Sequence, residues 1–249
     1  MKHSKISWTD HTFNPWWGCV KVSPACTHCY AEKFAKRTGH SVWGVESERR
    51  TFGEKHWRQP LKWNAEAAKT GLRRRVFCAS MADVFEDHPT AAAERTKLWR
   101  LIGATPNLDW LLLSKRPENM MKMLPGGRSP ENVWLGTTVE SQQYAQERLP
   151  HLLAVPAKVH FVSAEPLLES IDLTPWLATL DWLIVGGESG AGFRPFDPDW
   201  ARSLKAQCRA NGTAFFMKQM NGLSSRKAAE EVPKDLQVQQ FPGSHWRRC

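Results

Sequence analysis

Short apolar runs alternate with longer segments of helical periodicity over most of the chain. From residue 76 onward, six runs are almost continuously apolar rather than alternating in polarity: residues 76–79, 110–113, 133–135, 159–162, 182–185 and 214–217. Such runs are typical of parallel strands that are covered on both faces. We expect one further short strand near residues 12–17.

The segments between these runs carry helix signals. Leu98, Leu101 and Ile102 have the spacing of one helix face, while Asp197 can cap a helix that Gly212 ends. Strands that alternate with helices predict right-handed βαβ units around a parallel sheet. The predicted fold class is α/β, an incomplete (β/α) barrel of about six to seven parallel strands. A doubly wound open sheet is the alternative.

We expect a single domain over residues 1–249. Within it lie a cysteine-bearing loop at 18–30, a long basic first connection at 31–75 and a polar C-terminal tail at 222–249, which we expect to pack loosely. No run of eighteen apolar residues occurs, and no apolar segment follows the basic amino terminus. These features predict a cytoplasmic protein that does not contact the membrane.

The chain is basic, with 34 Lys and Arg against 25 Asp and Glu, a net charge of +9 and a pI of about 9.4. This charge fits a polyanionic partner such as nucleic acid, but it also fits a solvated basic surface. The charge alone does not separate the two interpretations.

Polar residues follow each of the six predicted strands. They are Ser80 and Asp83, then Ser114, Lys115 and Arg116, then Thr137, Thr138 and Glu140, then Ser163 and Glu165, then Glu188 and Ser189 among glycines, and finally Lys218 and Gln219. In α/β barrels the reacting groups cluster where strands end and loops begin. The pattern therefore predicts one shared site at the carboxyl ends of the strands.

Three of the six cysteines lie within eleven residues. Cys19, Cys26 and Cys29 can hold three irons of a four-iron, four-sulfur cluster, which leaves the fourth iron open to a ligand. A structural zinc site is the alternative, with His11 or His28 as its fourth ligand. The remaining cysteines are interpreted differently: Cys78 and Cys208 as core residues and Cys249 as incidental.

Seven motifs, spread over nearly the whole chain, together resemble a known family. They are Trp16-Trp17-Gly18-Cys19, Cys26-Thr27-His28-Cys29-Tyr30-Ala31-Glu32, Ser80-Met81-Ala82-Asp83, Leu113-Ser114-Lys115-Arg116-Pro117, Trp134-Leu135-Gly136-Thr137, Ser163-Ala164-Glu165-Pro166-Leu167-Leu168 and Val185-Gly186-Gly187-Glu188-Ser189-Gly190. This set resembles the uncharacterised phage and bacterial three-cysteine-motif proteins, and the cysteine loop ahead of a barrel pattern resembles the radical S-adenosylmethionine (SAM) superfamily.

The resemblance implies a radical SAM enzyme with two cofactors, a 4Fe-4S cluster on Cys19, Cys26 and Cys29 and S-adenosylmethionine on the open iron. An electron from a reductase or flavodoxin-type donor would cleave S-adenosylmethionine to a 5′-deoxyadenosyl radical, which abstracts hydrogen from a substrate. Two features depart from the superfamily pattern. The cysteines are separated by six and two residues instead of three and two, and the Gly-Gly-Glu element follows a late strand, so its amino-group-binding role is not assigned to Glu188.

Candidate roles for the polar strand-end residues follow from their expected positions. Asp83 would receive the methionine ammonium, Lys115 or Arg116 would pair with the carboxylate, and Thr138 and Glu140 would bind the ribose hydroxyls. The remaining candidates, Glu165, Glu188, Arg194 and Lys218, would contact the substrate.

The predicted substrate is a nucleic acid or a nucleotide precursor, and analogy with the phage family favours nucleic acid modification as the reaction. The residues behind this prediction are Lys55, His56, Trp57, Arg58, Lys62, Trp63, Arg73, Arg74 and Arg75, which combine cations for phosphates with rings for base stacking. The alternative is that Trp57 and Trp63 cover the outer helices of the barrel and that the arginines at 73–75 simply precede a strand. Two other function classes stay open: a zinc-stabilised nucleic-acid-binding protein without catalysis, and a metal-dependent hydrolase. The hydrolase would require several histidines near strand ends, whereas His160 is the only one within a predicted strand.

Overall fold

The computed structural model describes residues 3–243. Its strands are β1 (His11–Phe13), β2 (Arg74–Cys78), β3 (Leu108–Ser114), β4 (Val133–Thr138), β5 (His160–Ala164), β6 (Trp182–Gly186) and β7 (Ala214–Gln219). Its α-helices are α1 (Tyr30–Arg37), α2 (Glu54–Trp57), α3 (Gln59–Thr70), α4 (Pro89–Gly103), α5 (Met120–Met123), α6 (Gln142–Leu153), α7 (Thr174–Leu177), α8 (Pro198–Asn211) and α9 (Ser225–Glu230). None of the helices in this range is both long enough and apolar enough to cross a membrane.

The seven strands form one sheet in which their spatial order is the same as their order in the chain. The pairings are parallel: His11 lies opposite Val76, for example, and Trp182 opposite Ala214. In a doubly wound sheet the order of the strands reverses at a switch point. The strand order of this sheet does not reverse. Sequential parallel strands with helical crossovers confirm the predicted incomplete (β/α) barrel and rule out the open-sheet alternative.

The apolar runs form the strands because the sheet is covered on both faces. Val76, Leu111, Leu135, Val162 and Ile184 are all completely buried. Strand β1 has only three residues, which explains why its apolar signal is weak. It begins with His11, so His160 at the start of β5 is not the only strand histidine, contrary to the prediction.

Helix α8 forms as its sequence predicts. The side chain of Asp197 caps it by accepting a hydrogen bond from the Asp199 amide at 2.9 Å, and Gly212 ends it in a left-handed conformation at φ +69°. Leu204 and Cys208 lie on its buried face.

The chain packs as two compact units. The first contains the described parts of Met1–Val22, Ala31–Leu135 and Val155–Lys158, and therefore β1 to β3, α1 (apart from Tyr30) to α5 and the start of β4. The second contains the described parts of Ser23–Tyr30, Gly136–Ala154 and Val159–Cys249, and therefore the rest of β4 and all of β5 to β7.

The described part of the C-terminal tail, residues 222–243, is packed, contrary to the expectation of loose packing. Ala228 in α9 and Leu236 are buried, and backbone hydrogen bonds link Met217 to Val238 and Gln240 to Phe215 at 2.8 and 3.0 Å. Its few apolar residues are enough to fix it against β7. Cys249 lies outside the described residues.

Candidate cysteine-loop site

Cys19 is positioned by the glycine before it. Gly18 has φ +118°, and a Cβ there would lie 2.3 Å from the carbonyl oxygen of Val42, so a larger residue would force the backbone apart. The Gly18 amide donates to the Met81 carbonyl at 3.0 Å. Close backbone packing on both sides therefore fixes the first cysteine of the loop.

Arg116 connects Cys19 to the end of β3. Its Nη1 lies 3.6 Å from the sulfur of Cys19 and donates to Asp83 at 2.9 Å, while its Nη2 donates to the Val20 carbonyl at 2.8 Å. Arg116 is buried, and both terminal nitrogens of its guanidinium are engaged by these contacts. Arg116 thus joins a carboxylate, a thiol and the backbone of the cysteine loop.

A second buried ion pair, which the sequence did not reveal, supports the same region. Arg49 forms a bidentate pair with Glu86, with nitrogen–oxygen distances of 2.9 and 3.0 Å, and also donates to the Gly44 carbonyl at 3.2 Å. Glu86 lies 3.8 Å from Arg116. The positive charges of Arg49 and Arg116 are therefore neutralised next to Cys19 by the carboxylates of Asp83 and Glu86.

Cys19 is half-buried. Burial, together with the charges of Asp83 and Glu86, raises the pKa of its thiol to about 12, although Arg116 acts in the opposite direction. Without a metal, this sulfur is therefore protonated at neutral pH, and a cation that binds it must displace the proton.

Asp83 has little capacity left for a cofactor ammonium. Its oxygens accept hydrogen bonds from the Ser114 hydroxyl, the Lys115 amide, the Phe85 amide and Arg116, at 2.7 to 3.0 Å. Asp83 and Arg116 were expected to bind opposite ends of the methionine moiety, but they bind each other. The half-buried side chain of Lys115 has no partner among the described residues.

In the second unit, the part of the loop that carries Cys26 is held by Glu140. Cys26 ends a short 3-10 helix, Pro24–Cys26, and the Ala25 amide donates to Glu140 at 3.4 Å. Glu140 is completely buried and pairs with Arg148 at 2.7 Å. The carboxylate predicted to bind ribose therefore contacts the cysteine loop.

Glu188 holds the same loop at His28, two residues after Cys26. Nδ1 of His28 lies 2.9 Å from one Glu188 oxygen, and Nη2 of Arg194 donates to the other at 2.7 Å. Burial alone would raise the pKa of Glu188, but the hydrogen bonds from Arg194 and His28 outweigh it and lower this pKa to about 2. Glu188 and Arg194, the expected substrate contacts, are therefore brought together, and His28 joins them.

Glu165 and Lys218 form a third ion pair in this unit, between the ends of β5 and β7. Both side chains are about one-fifth exposed, so the pair can be reached from solvent. The buried hydroxyl of Thr138 has no hydrogen-bond partner among residues 3–243. An unsatisfied buried hydroxyl at a strand end is the kind of group that a ligand can satisfy.

The cysteine loop has the donor chemistry of a thiolate-bound metal centre. Three thiols lie on one loop, and an arginine N–H lies next to the sulfur of Cys19. Hydrogen bonds to ligand sulfurs are a feature of iron–sulfur sites. Over the part of the chain that the structure describes, no three His, Cys, Asp or Glu side chains are arranged as ligands of one metal ion.

The two isolated cysteines in the described range, Cys78 and Cys208, are completely buried. Burial raises the pKa of the Cys208 thiol to about 12. These environments confirm that both are core residues.

Several residues of the first connection that were predicted to contact nucleic acid instead contact other residues of the chain. Arg73 pairs with Asp109 at 2.8 Å and Arg75 with Asp10 at 3.3 Å. Trp63 is only 3% exposed and stacks on His11 with a ring separation of 4.5 Å. Its ring belongs to the core, so the expectation that it stacks on a base is wrong.

A family model described as "protein of unknown function (DUF5131)" matches residues 3–249. A search of curated proteins finds no match. Two solved structures of spore photoproduct lyase are similar to this chain. One is a cysteine-to-serine mutant, with a TM-score of 0.54, and the other is a complex with dinucleoside spore photoproduct, with a TM-score of 0.55. Each shares 13% sequence identity with this chain. The matched region covers 88% of this chain and 78% of the lyase chain. The likeness is one of fold.

Proposed function

This chain belongs to the DUF5131 family, and we propose that it is an iron–sulfur enzyme of the radical SAM type that acts on a nucleic acid or nucleotide. The observation that carries the proposal is the support given to the cysteine loop. Arg116 lies beside Cys19, Glu140 holds Ala25, and Glu188 holds His28. Three residues at the ends of different strands thus serve one loop whose only unusual chemistry is its three thiols.

The fold adds independent support. Spore photoproduct lyase is a radical SAM enzyme, and its structure shares the topology of this chain at low sequence identity. One of its structures contains a dinucleoside photoproduct, which favours a nucleic acid or nucleotide substrate here too. Kinship with phage three-cysteine-motif proteins stays a prediction.

In this proposal Cys19, Cys26 and Cys29 would hold a 4Fe-4S cluster. Reduced by one electron from an external donor of flavodoxin type, the cluster would supply the chemistry that cleaves S-adenosylmethionine to methionine and a hydrogen-abstracting 5′-deoxyadenosyl radical. Asp83 and Arg116 support Cys19, and Glu140 and Glu188 support the loop around the other two cysteines.

The side chains that are left for small-molecule ligands are few. Lys115 can pair with the methionine carboxylate, and the unpaired hydroxyl of Thr138 can bind a ribose hydroxyl. Glu165 and Lys218, joined in an accessible ion pair, are the candidates for substrate binding.

The test is anaerobic purification followed by iron and sulfide analysis, and then assay for 5′-deoxyadenosine after reduction with S-adenosylmethionine present. We expect about four irons per chain, the content of one four-iron cluster. Changing Cys19, Cys26 or Cys29 to Ala should abolish iron binding, whereas Cys208→Ala, a buried cysteine outside the loop, should retain it.

One zinc per chain without iron would contradict the proposal and favour the zinc-stabilised binding protein. Full iron content without cleavage of S-adenosylmethionine would restrict the cluster to electron transfer or structure.

A further inference from the structure

Two arginines of the first unit differ from most arginines in the described residues. Most form an ion pair with a carboxylate: Arg49, Arg58, Arg73, Arg74, Arg75, Arg116, Arg148, Arg194, Arg202 and Arg226. Arg37 and Arg50 instead lie over aromatic rings, and no carboxylate in residues 3–243 pairs with either.

Arg50 is held in place by rings and backbone. Its guanidinium carbon lies 4.4 Å from the ring centroid of Trp17 and 5.1 Å from that of Phe52. The backbones of Trp17 and Arg50 exchange hydrogen bonds at 2.9 and 3.0 Å, which fixes the two residues against each other. A guanidinium stacked on rings in this way keeps its N–H groups available for an anion.

Helix α1 continues this surface. Phe34, 38% exposed, packs edge-on against Trp17 with a centroid separation of 5.7 Å, and Arg37 lies 5.4 Å from the centre of the Phe34 ring. His40 also meets Trp17 edge-on, at 5.7 Å. We call this group, Trp17, Phe34, Arg37, His40, Arg50 and Phe52, the aromatic–arginine face.

We propose that the aromatic–arginine face binds a single-stranded segment of nucleic acid, with phosphates on Arg37 and Arg50 and a base on Phe34. Unpaired cations interleaved with accessible rings are the arrangement that single strands require, because each nucleotide presents one charge and one flat base. The net charge of +9 is complementary to such a polyanion.

The location of this face matches the proposed chemistry, and the inference rests on the proposed function in this respect only. Trp17 precedes Cys19 by two residues, so at most about 7 Å of extended chain separates them. A strand bound at Trp17 would therefore lie beside the cysteine loop.

The direct test is fluorescence anisotropy with labelled oligo-dT and oligo-U, measured in a salt series on the whole protein. We expect binding that weakens as salt rises. The double variant Arg37→Gln/Arg50→Gln should bind at least tenfold more weakly at low salt. Its salt dependence should also be shallower, by about 0.7 in log–log slope for each phosphate that the variant no longer neutralises.

The control is Arg209→Gln, which removes one charge from an exposed arginine of α8 and should bind as the wild type does. Phe34→Ala removes a half-exposed ring and no charge, so we expect a folded protein whose affinity falls about tenfold with an unchanged salt slope. This variant tests the face even if the arginine variant does not fold.

Wild-type affinity in both Phe34→Ala and the double arginine variant would overturn the proposal, as would a preference for duplex or competition by a free mononucleotide at equal concentration. Oligonucleotide binding is measured without turnover, so its result does not depend on whether the protein is an enzyme. Oligonucleotide binding by iron-free protein would leave the face standing while the enzymatic proposal failed. A protein with a full cluster that binds no oligonucleotide would do the reverse.

Discussion

Nη1 of Arg116 lies 3.6 Å from the sulfur of Cys19, so a buried cation faces the first cysteine of the loop. A hydrogen bond to a ligand sulfur stabilises the reduced, more negative state of an iron–sulfur centre and raises its reduction potential. Arg116→Gln should therefore shift the midpoint potential of the reconstituted protein to a more negative value, as followed by electron paramagnetic resonance during a redox titration.

Arg116→Lys should shift the potential less, because it keeps the charge near Asp83, and the distant Arg209→Gln should not shift it. An unchanged potential in Arg116→Gln would mean that the guanidinium serves only to hold the loop.

The pair of Glu140 and Arg148 should matter strongly for stability. Arg148→Gln would leave a carboxylate buried without its counter-ion, which typically lowers the free energy of unfolding by about 3–5 kcal/mol. Urea denaturation of this variant measures the decrease. The exposed pair of Arg226 and Glu230 provides the control, since Arg226→Gln should cost about 0.5 kcal/mol or less. A similar small decrease for both variants would show that Glu140 is solvated or protonated in solution.

The low pKa of Glu188 predicts how stability depends on pH. Its pKa falls from an ordinary 4.5 to about 2 in the folded chain, so its ionised form stabilises the fold fully above about pH 4.5. That contribution decreases as the pH falls from about 4.5 to 2, because the carboxylate then becomes protonated even when folded. The melting temperature of Glu188→Gln should therefore lie below that of the wild type at pH 6 and approach it near pH 2.

Glu230→Gln, on the exposed face of α9, should show no comparable convergence with the wild type. A Glu188→Gln deficit that stays constant down to pH 2 would exclude the ionised carboxylate as its cause.

Substitution of Gly136 should destabilise the protein because the ring of Phe161 lies next to it. A Cβ at this position in β4 would lie 2.4 Å from the ring of Phe161, so Gly136→Ala should lower the free energy of unfolding by about 1–3 kcal/mol. Adding Phe161→Leu should recover part of this stability. At Gly103, at the end of α4, an added Cβ would meet no atom within 4 Å beyond its chain neighbours and the backbone of its own helix, and Gly103→Ala should be neutral or stabilising by up to about 1 kcal/mol. Equal effects at the two glycines would contradict the clash.

Strands β2 to β7 were predictable because each contains an almost continuous apolar run. The caps of α8 were equally predictable, since Asp197 and Gly212 act on their own backbone neighbours. The short β1 was placed only approximately, because Phe13 is the one apolar residue among its three.

The partners of the polar strand-end residues were not predictable in the same way. Glu188 and His28 are 160 positions apart, and Asp83 and Arg116 are 33 positions apart. Residue type shows that a side chain is charged, but only the packing of distant segments determines whether its partner is a ligand or another side chain. For this reason the sequence predicts Asp83, Glu140 and Glu188 as site residues but does not predict the protein contacts that the structure gives them.

The packed tail also determines how the protein behaves towards its own copies. Residues 238–240 form hydrogen bonds with the side of β7 that faces away from β6, including a bridge between Phe216 and Gln239. An uncovered outer strand with a sequence as apolar as that of β7 is a template for edge-to-edge pairing and aggregation. The tail therefore acts as a built-in cover for this edge, and a chain truncated before residue 238 should self-associate at concentrations at which the full chain stays monodisperse.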